Sequence, residues 1–399
     1  MCGARAMSTG ASCSICGETL GHSLYHANAG NSLTSLCRLH PAATVVRACP
    51  RCGHLQTNAI SDVSNFYDND YDILVESEDE DQIYEVVEGK PVFRTTHQVE
   101  TIKSIMDLDR PLKLLDYGCA KSSTIRALCA AKKSLVPHLY DVSSRYVPYW
   151  RMFAPPERWA IKHLPEKWKG YFDVVTSFFS LEHIPRVAES IREISTLLKP
   201  HGMFYAIVPN VMANIADFVV VDHCNHFTES SLRYLLSSSG MTIGRIDATS
   251  HNGAFVLTAM RNIDCPGNGD SQPIEIEPSS VAATLVELER IGLYWRTCAS
   301  RIHEFESRLT PNDKVAIYGA GFYGAFIRAS MLHPERIVCH LDQNPFLLGK
   351  TFEGRPVLPP ASLPMDVNSI LVGLNPINAR RIIDDIPPLS ARNLRYFYL

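Results

Sequence analysis

Residues 113–125 read KLLDYGCAKSSTI. Lys113 to Tyr117 close an apolar run that carries an acid, Asp116. Gly118 follows where the chain must turn sharply. The small residues Cys119, Ala120, Ser122 and Ser123 let backbone come close to a ligand, and Thr124 and Ile125 open an amphipathic segment. A buried strand that ends in a tight glycine turn and feeds a helix is the nucleotide-binding corner of an open α/β sheet. Downstream, Pro137 to Tyr140 predicts a second strand, closed by Asp141. An acid at that tip suits a ribose, because one carboxylate can accept hydrogen bonds from both hydroxyls.

At 399 residues, 46% hydrophobic and 20% charged, the composition is that of a multidomain globular protein. The formal charge of -4 gives no footing for a nucleic-acid or membrane-surface partner. No apolar run has the roughly 18 residues of a membrane span. The opening MCGARAMSTGASC has no long apolar core, so a secretory signal is not expected. The twelve cysteines are arranged as two CxxC pairs and a scatter through apolar segments, which predicts a reducing, cytoplasmic setting.

The two pairs are Cys13-Ser-Ile-Cys16 and Cys49-Pro-Arg-Cys52, separated by 32 residues. Each places two thiolates on one knuckle, and the two knuckles complete a tetrahedral structural zinc site. Gly17 and Gly53 stand directly after the second cysteine of each pair, where the knuckle needs positive φ. Cys37, His22, His26 and His54 read as bystanders. Next comes an aromatic, acidic stretch (Phe66, Tyr67, Tyr71), then five acids in the six residues Glu76 to Asp81, read as a solvated segment or a lid. Helical apolar spacing runs from Val92 to Leu108. Beyond the second strand, Tyr171–Phe179 predicts a third buried strand. Leu181-Glu182-His183-Ile184-Pro185 and a helix to about Leu198 follow it. A turn at Lys199–Gly202 and a strand from Met203 to Val208 come next. Thr228 caps a predicted helix from Glu229 to Ser238, and His226 before it reads as a packing residue.

The order D-x-G, D-V-S, F-D-V-V, L-E-H-I-P and L-L-K-P-x-G with a V-P-N strand end resembles the class I S-adenosylmethionine-dependent methyltransferases. Lys121 and Ser122 stand where that family commonly has glycines. With the ribbon ending C-P-R-C-G-H-L-Q-T and F-Y-x-x-x-Y after it, the whole chain resembles the sugar C-methyltransferases that act on nucleotide-linked keto-hexoses. Gly118-Cys119 matches their GC pair, and Asp222-His223 matches their acid-histidine pair with Asp for Glu. His251-Asn252-Gly253 matches their histidine-glycine turn, while Val220 stands where a tyrosine is usual. The resemblance implies S-adenosylmethionine held by Asp116, Gly118, Cys119, Asp141, Leu181 and Glu182. Carbon is a poor nucleophile, so C-methylation needs a proton removed next to a carbonyl, and histidine is the natural base near neutral pH. His223 is the expected base, with Asp222 orienting its ring and His183 binding the enolate oxygen or sharing the proton work.

Asp264–Pro273 is a Gly/Pro-rich break, and helical spacing follows from Pro278 to Leu309. Lys314–Tyr318, Gly319-Ala-Gly321-Phe-Tyr-Gly324, a helix, and Ile337–Leu341 closed by Asp342 form a second strand–GxGxxG–helix–strand–acid unit. Taken alone this fits a dehydrogenase. The family resemblance implies instead a Rossmann-like domain that shapes the substrate cleft without a nicotinamide. The expected α/β chain is thus a zinc ribbon (1–60), a connector (61–108), a methyltransferase domain (109–262), a linker with a long helix (263–310) and a Rossmann-like domain (311–399). Its expected partner is a small sugar-like or nucleotide-sugar substrate bound between these parts. The rival readings are an O- or N-methyltransferase of another metabolite and a binding protein on the same scaffold.

Overall fold

The computed structural model describes residues 11–60, 66, 81–87, 90–262 and 274–399. The acidic run at 76–80, Tyr67, Tyr71 and the break at 264–273 lie outside the described residues. The chain forms two compact units. One comprises Met1–His22, Arg47–Asn214 and Cys224–Val286; the other comprises Ser23–Val46, Ile215–His223 and Glu287–Leu399. Among the described residues, no helix is long and apolar enough to cross a membrane.

The first unit is built on seven strands. They are β1 (Leu112–Tyr117), β2 (Leu135–Asp141), β3 (Trp159–Ile161), β4 (Phe172–Phe178), β5 (Leu198–Pro209), β6 (Met241–Asp247) and β7 (Ala254–Arg261). Their order in the sheet is β3-β2-β1-β4-β5-β7-β6. The strands from β3 to β5 are parallel, and β7 runs antiparallel to both β5 and β6. The order reverses between β1 and β4, and in such a sheet the crevice beyond the carboxyl ends at this point is where ligands bind.

Alternation along the strands sorts the core into two faces. Leu114, Val174 and Ile207 pack with Ile102, Ile125 and Leu128, from α1 (Arg94–Ile105) and α2 (Ser123–Ala131). Leu115, Val175 and Ala206 face the other way. They meet Ile191 and Ile194 of α3 (Val187–Leu197) and Leu232 and Leu235 of α4 (Glu229–Ser238). Thr228 caps α4 in a reciprocal box with Ser231, as its position predicts. One local expectation needs correcting. Lys199–Gly202 is no separate turn but lies inside β5, as an irregularity where the pairing jumps from Phe172–Leu198 to Val174–Met203. His201, at φ 60, supplies the kink.

The ribbon segments of this unit pack on the α3–α4 face, with Cys13, Ile15, Cys49 and Cys52 joining its apolar cluster. Asn225 ties them to the sheet. Its Oδ1 accepts from Ser14 Oγ at 2.9 Å, and its Nδ2 donates to Leu181 O at 3.1 Å and Ile184 O at 2.7 Å.

The second unit carries a smaller sheet of β8 (Lys314–Tyr318), β9 (Ile337–Leu341), β10 (Thr351–Phe352), β11 (Arg355–Leu358), β12 (Val367–Val372) and β13 (Arg395–Tyr398), in the order β10-β11-β9-β8-β12-β13. The GAG turn after β8 is forced by close approach: a Cβ on Gly319, at φ +104, would stand 2.3 Å from Gly373 O. Asp342 holds that turn by accepting from Ala320 N at 2.9 Å and Asn344 N at 2.8 Å. The long helix α5 spans Pro278–Ser307.

Candidate active site

The turn after β1 is tightly constrained. Gly118 has φ +68, and a Cβ there would fall 1.9 Å from Ser180 Oγ, at the end of β4. Ala120 and Ser122 also adopt positive φ, 43 and 56, so two side-chain-bearing residues occupy the left-handed region that glycine normally fills. Side chains hold them there. Asp141 Oδ2 accepts from Ala120 N at 2.8 Å, Trp150 Nε1 donates to Ala120 O at 2.7 Å, and Ser122 Oγ donates to Asp116 Oδ2 at 2.5 Å. The expected glycine-rich loop is thus replaced by a loop clamped from three sides.

Beside this turn lies a cavity of about 640 Å³, within the range of small-molecule and cofactor sites. Asp116, Gly118, Cys119 and Asp141 line it, as do Lys121 and His183. Lys121 takes its place in the wall, its Nζ 5.2 Å from the centre of the Tyr149 ring, and the hollow stays open. Leu181 and Glu182 are buried in the single turn after β4; the wall there is made by Ser180, His183 and Ile184. The cavity is also lined by Arg94, Thr95 and Gln98 at the start of α1 and by Phe179, whose ring lies 3.8 Å from the Arg94 guanidinium. These four were not singled out in the sequence, because helical periodicity locates α1 without saying what its first turn faces.

The acids are placed differently from one another. Asp141 closes β2 and also accepts from Ser143 N at 3.0 Å, and its carboxylate lines the cavity at the strand tip. Asp116 is 2% exposed and accepts from Ser122 and from Thr176 Oγ1, the latter at 2.9 Å. Burial pushes its carboxyl up to about 7 despite those two bonds. Gly118, the two acids and the open hollow fit S-adenosylmethionine: Asp141 would hold the ribose, and Asp116, Gly118 and Cys119 the methionine end.

The other predicted groups sit as follows. His226 is buried, and its Nε2 lies 2.8 Å from Thr57 Oγ1, a packing role as expected. His251 is buried with its ring 5.3 Å from that of Phe179, and burial lowers it to about 4. The acid–histidine pair departs from expectation. His223 Nδ1 lies 2.5 Å from Asp217 Oδ1, not at an oxygen of its chain neighbour. Asp222 accepts from Ser35 N at 2.6 Å and Ser35 Oγ at 2.7 Å. Val221 and Asp222 form a turn, and the Asp222 carboxylate is taken up by Ser35.

The four thiols of Cys13, Cys16, Cys49 and Cys52 lie within 4.8 Å of one another, with Sγ–Sγ distances of 3.7 Å for Cys13–Cys52 and 3.4 Å for Cys16–Cys49. These are not disulfides. A tetrahedron of sulfurs about 2.3 Å from a zinc ion has edges of about 3.8 Å, so the cage fits that metal. Its knuckles are closed by Gly17 N on Cys13 O and Gly53 N on Cys49 O, both at 3.0 Å, with both glycines at positive φ. Four thiolates would leave a bound zinc no open position, as in structural sites.

Residues 95–244 match the family described as a methyltransferase domain. The central domain is a methyltransferase domain. Among solved structures, this domain is similar to an S-adenosylmethionine-dependent methyltransferase from Mesorhizobium loti, with 16% identity over 41% of this chain and 98% of that one and a TM-score of 0.35. It is also similar to a protein from Listeria monocytogenes described as a putative enzyme of the same kind, with 13% identity over 42% of this chain and 100% of that one and a TM-score of 0.35. Among curated proteins, none matches the chain.

Two outcomes follow from this methyltransferase site. A cationic ligand in the cavity favours the ionised form of Asp116, so binding S-adenosylmethionine below pH 7 releases a proton. Calorimetric affinity should fall by up to about tenfold per unit as pH drops below 7, and Asp116→Asn should flatten that slope. An unchanged slope in the variant contradicts the coupling. For the cage, elemental analysis should return about one zinc per chain. Chelation, or Cys49→Ser, should lower the melting temperature and loosen the Leu181–Ile184 turn through Asn225, seen as faster amide exchange there.

Proposed function

We propose that this chain methylates carbon in a keto-sugar or a similar metabolite, nucleotide-linked, by way of an enolate, with a structural zinc in its ribbon and a reducing, cytoplasmic setting. The observation that carries this reading is the buried imidazole–carboxylate pair of His223 and Asp217. Methylation of a hydroxyl or amine needs mainly positioning. Methylation of carbon needs a base able to take a proton from beside a carbonyl, and a histidine with a carboxylate behind it is such a base. The motif order, the acid–histidine pair and the HNG turn support the sugar class.

When bound, S-adenosylmethionine supplies an electrophilic methyl group on a sulfonium. The remaining work falls to the chain. His223 takes the proton, and the C–H electron pair moves into the carbonyl as the enolate forms. His183 lines the cofactor cavity. The clamped turn at Gly118 and Asp141 fix the cofactor so that little motion is needed at the moment of reaction.

The test is exchange without methyl donor. A nucleotide-linked keto-hexose incubated with the protein in deuterium oxide should exchange the hydrogen beside its carbonyl, read by proton NMR. His223→Gln should slow this by about a hundredfold or more. Formation of an O- or N-methyl product with no such exchange contradicts the proposal.

A further inference from the structure

We propose that Asp217, rather than Asp222, is the positioning residue that fixes the tautomer of His223; this rests on reading His223 as the base. The second unit supplies all the parts. Asp217 opens a short turn, Asp217–Val219, closed by Val220 N on Asp217 O at 3.1 Å. The start of the segment is pinned where Trp295 Nε1 donates to Ile215 O at 2.8 Å. Its far end is pinned where Val221 N donates to Leu33 O at 2.9 Å and Ser35 donates twice to Asp222. Between these anchors the chain doubles back, so that residues six apart meet: Asp217 Oδ1 and His223 Nδ1 at 2.5 Å.

Each acid has a distinct task. The Asp217 side chain is fully covered and that of His223 is 10% exposed. A carboxylate in such a place is costly unless a cation or a strong donor faces it. The Nδ1–H of His223 is such a donor, and the imidazolium formed during catalysis is such a cation. With its proton held on Nδ1, the lone pair of the ring lies on Nε2. That lone pair accepts the proton from the carbon beside the carbonyl, and the C–H electrons enter the enolate. The positive charge appears on the ring facing Asp217, and the proton later leaves Nε2 for water. Asp222 spends its oxygens on the backbone and hydroxyl of Ser35 and so holds the loop shut.

The experiment reads the tautomer directly in the full-length protein labelled with ¹⁵N-histidine, with the His223 signals assigned by His223→Gln. The wild type should show the proton on Nδ1. Asp217→Asn should move it to Nε2, Asp217→Glu should keep it on Nδ1, and Asp222→Asn should leave it on Nδ1. In deuterium exchange of the keto-sugar, Asp217→Asn should lower the maximal rate on the order of a hundredfold with KM little changed, and Asp217→Glu should recover part of it. A proton-free Nδ1 in the wild type overturns the proposal, as does an Asp222→Asn variant that moves the proton while Asp217→Asn and Asp217→Glu do not. If the wild type exchanges no deuterium, the carbon-base reading fails, and the NMR still decides which acid orients the ring.

Discussion

The central domain depends on one close approach. Where β1 turns, Gly118 lies so near Ser180 that no side-chain carbon fits between them. The contact lies just beyond the carboxyl ends of β1 and β4, which pair directly in the sheet, at the point where the strand order reverses. The crevice beside it is the cavity lined by Asp116, Gly118 and Asp141. Ala120 and Ser122 extend the same left-handed path at some conformational cost. Asp141, Asp116 and Trp150 offset that cost by bonding the loop on three sides. A loop held this way is pre-organised, and pre-organisation is what lets a cofactor bind without first ordering its own site.

The same device occurs twice. In the first unit, Asp141 at the tip of β2 accepts from the loop amide of Ala120; in the second, Asp342 at the tip of β9 accepts from that of Ala320. Both acids serve first as clamps on a turn, and an acid at the second strand tip has a mechanical role before it has a ligand. Asn225 does a comparable job on the other side of the central sheet. One side chain joins the cysteine knuckle at Ser14 to the turn whose His183 lines the cavity. Metal in the ribbon would thereby stiffen a wall of the cofactor site.

Much of this was legible in the sequence because the signals were local. Strand ends carry acids and glycines, so Asp116, Gly118, Asp141 and the GAG turn of the second unit are found by position alone. Thr228 three residues ahead of Ser231 marks its helix start, and paired CxxC knuckles mark the cage. What stayed hidden depends on distance in the chain or on irregular backbone. The turn-like KPHG lies inside β5 because the sheet tolerates an irregularity there. Asp217 reaches His223 only through a bend held by Trp295 and Leu33, far away in sequence. The grouping of Ser23–Val46 with Ile215–His223 rests on long-range pairings of the same kind, such as Val221 with Leu33. The wall from Arg94 to Gln98 has no motif at all.

The account stands on S-adenosylmethionine lying in the cavity beside the Gly118 turn. Calorimetric titration of the cofactor into the wild type and into Gly118→Ala tests this directly. The wild type should bind one equivalent per chain. The variant, whose added methyl meets Ser180, should show no heat, and Gly118→Ala combined with Ser180→Gly should recover part of the binding. Wild-type affinity unchanged in Gly118→Ala, or no binding to the wild type at all, would contradict it.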